Sequence, residues 1–190
     1  MSTMKPRFSP AFLANTPSRF GLYDLPATAL PHKLSPGLFS ALGFAEKEAD
    51  SLGARFIDTS HILLALIHEA SIAQGNTINA RLASFYKLRY SKVLDKAASY
   101  FGLEAEATPC SSKSNLTEAS KQLFATSAQI ARRYFSSVIK PEHVLLGITM
   151  VSNKSFAAYG TLIDLGIDPR ELKANIQNLL QKEIMREMMS

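Results

Sequence analysis

Ser60-His61-Ile62-Leu63-Leu64-Ala65-Leu66 returns as Glu142-His143-Val144-Leu145-Leu146-Gly147-Ile148, 82 residues further on. Upstream of each string, Leu34-Ser35-Pro36 has its counterpart in Leu116-Thr117-Glu118 at the same offset. The apolar positions between keep step: Leu42 with Phe124, Ala49 with Ala131, Leu52 with Tyr134, Ile57 with Ile139. A shared offset over so many positions means one supersecondary unit used in tandem. The duplicated residues are of core and helix-start type, not a set of acids, bases and nucleophiles, which points away from catalysis.

Each unit reads as four helices. In the first, Ser35 is an N-cap followed by Pro36 at the first helical position. Leu38, Leu42, Ala45, Ala49 and Leu52 follow at helical spacing, and Gly53 is a stop. Asp58 or Thr59 starts the second helix, the stretch from Ala70 to Asn76 reads as a loop, and Ile78, Leu82 and Phe85 mark the third helix. Val93, Leu94, Ala97 and Tyr100 mark the fourth. In the second unit the N-cap is Thr117, Pro141 opens the next helix, and Asp168 with Pro169 opens the last. The later helices match at an offset nearer 79 or 80, so the first unit carries a few extra residues, most simply in the Ala70–Asn79 loop. Nothing reads as a strand. The expectation is an all-α fold of two tandem four-helix repeats related by pseudo-twofold symmetry: 34–101, a linker at 102–115, 116–184, and a short tail at 185–190.

Composition agrees. The chain has 190 residues, 46% hydrophobic and 19% charged, enough apolar content for a packed core. Residues 1–33 hold five of the nine prolines (Pro6, Pro10, Pro17, Pro26, Pro31) and read as an extended, basic leader on which Phe8, Phe12, Phe20 and Tyr23 could rest against the folded part. That leader is poor in acids and loosely resembles an organelle transit peptide. The net charge of +5 raises the question of nucleic acid, but the basic runs Lys87–Lys92 and Arg132-Arg133 are short and fit solvated helix faces. A single cysteine, Cys110, excludes an internal disulfide and fits a reducing compartment. No stretch of about 18 apolar residues is present to span a membrane.

The twice-used string resembles the Clp N-terminal repeat, the double four-helix module at the front of Clp-type AAA+ unfoldases, whose usual form is Thr-Glu-His-hydrophobic-Leu-Leu-Gly-Leu. Here it reads Thr59-Ser60-His61-Ile62-Leu63-Leu64-Ala65-Leu66 and Pro141-Glu142-His143-Val144-Leu145-Leu146-Gly147-Ile148, and the resemblance covers residues 34–184. It implies a non-catalytic protein-binding module, an accessory or adaptor that docks Clp protease or unfoldase subunits, their substrates or their adaptors. In some relatives the acid before the histidine and the Ser/Thr opening the first helix line pockets for phosphorylated arginine. Carried over by position, these are Ser35 and Ser60 in the first repeat, Thr117 and Glu142 in the second. Ser60 departs from the pattern, leaving a guanidinium there without its bidentate acid. No G-x-x-x-x-G-K-[ST] string occurs, so an ATP site of that type is absent. The long leader favours a stand-alone protein. The detached front domain of a complete Clp ATPase is the rival, and a basic nucleic-acid-binding module is the rival from another class. The resemblance fits the cytoplasm, or the plastid stroma if residues 1–33 are a transit peptide.

The remaining reactive side chains read as structural. His61 and His143 lie at helix starts beside apolar residues with no second ligand at metal-binding spacing. They read as histidines that bond the adjoining loop. His32 and His68 are equally isolated, Glu104 and Glu106 read as solvated, and Cys110 has no histidine at a familiar spacing. An enzyme built on His143 with Glu142 is the weakest reading. No metal site and no cofactor is expected.

Overall fold

Ser35 and Thr117 start their helices as the sequence leads one to expect. In the computed structural model, which describes residues 33–73, 77–101, 103, 115–151 and 156–189, the Leu38 N–H donates to Ser35 Oγ at 3.2 Å and the Ser120 N–H to Thr117 Oγ1 at 3.1 Å. All but Lys33 of the expected leader, the acids Glu104 and Glu106, and Cys110 lie outside the described residues. The first repeat supplies α1 (Pro36–Ser51), α2 (Thr59–Ile72), α3 (Ile78–Phe85) and α4 (Tyr90–Ala97). The second supplies α5 (Glu118–Arg133), α6 (Pro141–Met150), α7 (Ala157–Asp164) and α8 (Pro169–Met189).

The duplicated string forms the two central helices. Every residue from Thr59 to Ile67 and from Pro141 to Thr149 is buried. A helix that is apolar on all sides belongs in the interior, and α2 and α6 pack against helices of both repeats. The two histidines do the same work in each copy. The Asp58 N–H donates to His61 Nδ1 at 3.2 Å, and the Lys140 N–H donates to His143 Nδ1 at 3.1 Å. Each imidazole thus satisfies a backbone donor at the helix start, the reciprocal half of a capping box.

The sequence reading missed a small β element. β1 (Lys33–Leu34) pairs in parallel with β2 (Val138–Ile139), and Ile57 bridges to Leu116. These are one contact made twice. Leu34 and Leu116 differ by 82 positions, as do Ile57 and Ile139, so each repeat lends its leading residue to the other. Such reciprocal pairing is the signature of an isologous interface about a twofold axis. Two-residue strands have no alternation for a sequence to display, which is why they were invisible.

The repeats also exchange caps. The start of α7 has no cap of its own, and the Ala158 N–H donates instead to Thr59 Oγ1 of the first repeat at 3.0 Å. Leu42, Phe124, Ala49, Ala131, Ile57 and Ile139 are all buried and belong to one continuous core. Three details differ from expectation. α2 runs on through Ile72, so the extra residues of the first repeat extend a helix; buried Ala70 keeps its last turn on the core. Leu52, at the C-cap of α1, is 45% exposed, and Phe85 is 69% exposed at the end of α3.

Candidate functional site

The four expected site residues lie at helix starts, but they are grouped across the repeats. The Ser35 N–H donates to Ile139 O at 2.9 Å, which sets the start of α1 beside the start of α6 and Glu142. The Thr117 N–H donates to Ile57 O at 3.1 Å, which sets the start of α5 beside the start of α2 and Ser60. Ser35 therefore neighbours the helix of Glu142, and Thr117 the helix of Ser60.

The Thr117–Ser60 side is closed. Both residues are fully buried. The Thr117 hydroxyl donates to Ser120 Oγ at 3.0 Å, and Ser120 Oγ donates to Ile57 O at 2.9 Å. The Ser60 hydroxyl donates to Asp58 Oδ1, which also accepts the Ser60 and His61 N–H groups at 2.9 and 3.1 Å. Burial alone would push the Asp58 carboxyl up, but its contacts with His61 and the Ser60 hydroxyl outweigh it and hold it below the ordinary range.

The Ser35–Glu142 side is different in charge. Ser35 is half-buried, and Glu142 is buried at the first turn of α6, where a carboxylate is favoured by the helix dipole. Its surroundings hold two further acids, Glu69 at the end of α2 and Glu183 on α8. One cation answers them: Lys140 Nζ donates to Glu183 Oε1 at 3.2 Å. Burial is the main force on the Glu142 carboxyl. Its own backbone N–H and Lys140 pull its pKa down, Glu183 and Glu69 push it up, and the net result is about 7. Gly37 permits the crowding: a Cβ there would stand 3.0 Å from Glu69 Oε1 and 3.9 Å from Pro141 Cγ. Asn79 holds Glu69 from the other side, its Nδ2 donating to Glu69 Oε2 at 3.1 Å and to Leu66 O at 2.6 Å.

Glu69 and Glu183 act on Glu142 through their charge, and against Lys140 this side carries a surplus of negative charge. Chemically it suits a cationic group, above all a guanidinium that can engage a carboxylate through two parallel hydrogen bonds. Glu69, Glu183 and Lys140 were not singled out from the sequence, because they come together only when three helices distant in the chain meet. Gly37 was the available signal: a glycine in the first turn of a helix permits close approach of another group to the backbone. Among the described residues no group of three metal-ligating side chains is gathered.

No family model matches the chain. The chaperone protein ClpD, chloroplastic, of Arabidopsis thaliana is 28% identical over 186 residues, which cover 95% of this chain and 20% of that protein. The chaperone protein ClpB of Oceanobacillus iheyensis is 27% identical over 139 residues, covering 73% of this chain and 16% of the other. The chain thus spans about a fifth of the length of these curated relatives, or less. Among solved structures, the N-terminal domain of the caseinolytic protease associated chaperone ClpD from Arabidopsis thaliana superposes with a TM-score of 0.62 at 25% identity. That match covers 78% of this chain and 95% of the domain. By this superposition the all-α double repeat is Clp N-domain-like in fold.

Proposed function

We propose that the chain is a non-catalytic docking module of a Clp-type chaperone–protease system, binding Clp subunits, their substrates or their adaptors. The observation that carries the reading is the likeness to the ClpD N-terminal domain over nearly the whole of that domain. The surplus of negative charge around Glu142 supports a docking point at the Ser35–Glu142 side, with a cationic group on the partner as its occupant. Thr117 and Ser60 serve in this reading as the rigid counterpart that holds the two repeats together.

The compartment we infer is the plastid stroma. The ClpD relative whose match covers 95% of this chain is named as chloroplastic. Within the described residues no helix is long and apolar enough to cross a membrane.

The test is capture. The full chain is immobilised and offered purified Clp unfoldase and protease-core subunits, with Glu142→Gln alongside. The expected result is retention of a Clp component and weaker retention by Glu142→Gln, whose amide cannot form a charged pair. Retention of none of them, with the chain shown folded by circular dichroism, overturns the reading.

A further inference from the structure

A second surface lies away from the crossed helix starts. The end of α2, α3 and the turn into α4 enclose an open groove of about 1100 Å³. Its floor is aliphatic and closely packed: Ile67, Ala70, Ala80, Ala83 and Leu88 are each 9% exposed or less. Its rim carries four cations, Arg81, Lys87, Arg89 and Lys92, all exposed, and no carboxylate lines it. Among the described residues none of these cations takes part in an ion pair. The exposed Phe85 stands at the same rim.

The other repeat shows that this charge is not needed by the fold. The turn is built identically in both copies at an offset of 79. Leu88 N–H donates to Ala83 O and Lys87 N–H to Ser84 O; Ile167 N–H donates to Leu162 O and Gly166 N–H to Ile163 O. At that offset Arg81, Phe85, Lys87, Arg89 and Lys92 stand against Gly160, Asp164, Gly166, Asp168 and Glu171. The second repeat is neutral or acidic wherever the first is basic or aromatic. The turn requires left-handed backbone, with φ of +77° at Gly166 and +52° at Lys87. Glycine adopts it freely, whereas a residue with a Cβ is disfavoured there by about 1 kcal/mol.

We propose that this groove docks an acidic amphipathic segment of another protein, its apolar side chains on the aliphatic floor and its carboxylates against Arg81, Lys87, Arg89 and Lys92. Charge complementarity selects an acidic partner. The aliphatic floor favours peptide over nucleic acid: the groove offers a single exposed ring, Phe85, whereas single-stranded nucleic acid binds by stacking successive bases on several. The proposal stands whether or not a Clp subunit docks at Glu142.

The probe is a short fluorescein-labelled peptide with Glu and Asp on one helical face and Leu and Phe on the other, titrated with the full chain by anisotropy. Controls are the same peptide with Ser in place of Leu and Phe, and a single-stranded oligonucleotide. The expected result is binding that weakens with added salt and falls about tenfold or more in the double variant Arg89→Glu, Lys92→Glu. Lys87→Gly should weaken binding while raising the melting temperature, a combination that a purely structural residue would not give. Equal binding of the serine-substituted peptide, tighter binding of the oligonucleotide, or no binding of the acidic peptide each overturns the proposal.

Discussion

Glu142 is a buried acid held far from its ordinary titration range. Its pKa of about 7 lies above the ordinary value of 4.5, so the folded chain holds this proton more tightly than the unfolded chain does. Stability from this group is therefore complete below pH 4.5 and is withdrawn as the pH rises toward 7, by about 3 kcal/mol in all. Glu142→Gln removes the titration. The variant is expected to melt higher than the parent at pH 8 and to lose that advantage at pH 5, as followed by thermal unfolding in both buffers. Phe135 makes a second case. It sits at φ +55° and is 88% exposed, where the matching position of the first repeat is Gly53 at φ +68°. Phe135→Gly should stabilise the chain by about 1 kcal/mol, because the left-handed strain goes and little buried area is lost. Denaturant titration reads this directly.

At the scale of elements, what the sequence displayed and what it hid divide by physical cause. Helix starts were legible because Ser35, Asp58 and Thr117 act locally, through bonds spanning three residues or fewer, and Pro141 through its fixed φ. The last turn of α2 was misread because its polar residues sit on the outer face while buried Ala70 holds the inner one. β1 and β2 were hidden because they exist only through the partner repeat. The acidic side was half visible: Glu142 stood out at its motif position, while Glu69 and Glu183 reach it only through the tertiary fold. Helix contact also decides Gly147, whose counterpart is Ala65. A Cβ on Gly147 would lie 2.9 Å from Leu123 Cδ1 and 3.1 Å from Ser127 Oγ. Leu123 is fully buried, so it has nowhere to go. Gly147→Ala should cost about 1–3 kcal/mol through overpacking of α5 on α6, despite the better helix propensity of alanine. A lowered denaturation midpoint with an unchanged slope would show it.

For the whole molecule, reciprocity is the controlling fact. Leu34 needs Ile139, Leu116 needs Ile57, and the start of α7 needs Thr59. α2 packs on α7 and α3 packs on α6, so each repeat completes its core with a helix of the other. A separate four-helix unit of this size would bury too little surface to be secure even if self-contained, and this one is not. We therefore expect neither 33–103 nor 115–190, expressed alone, to unfold cooperatively. Mixed in equal amounts, the halves should associate and regain a single transition, since the isologous seam supplies what each half lacks. Circular dichroism melts of the separate and mixed halves, with gel filtration of the mixture, decide the point. A cooperative melt of 115–190 alone at the temperature of the whole chain would mean that the repeats are independent units merely placed side by side. In that case the crossed strands at Leu34 and Leu116 would add nothing to the stability of the fold.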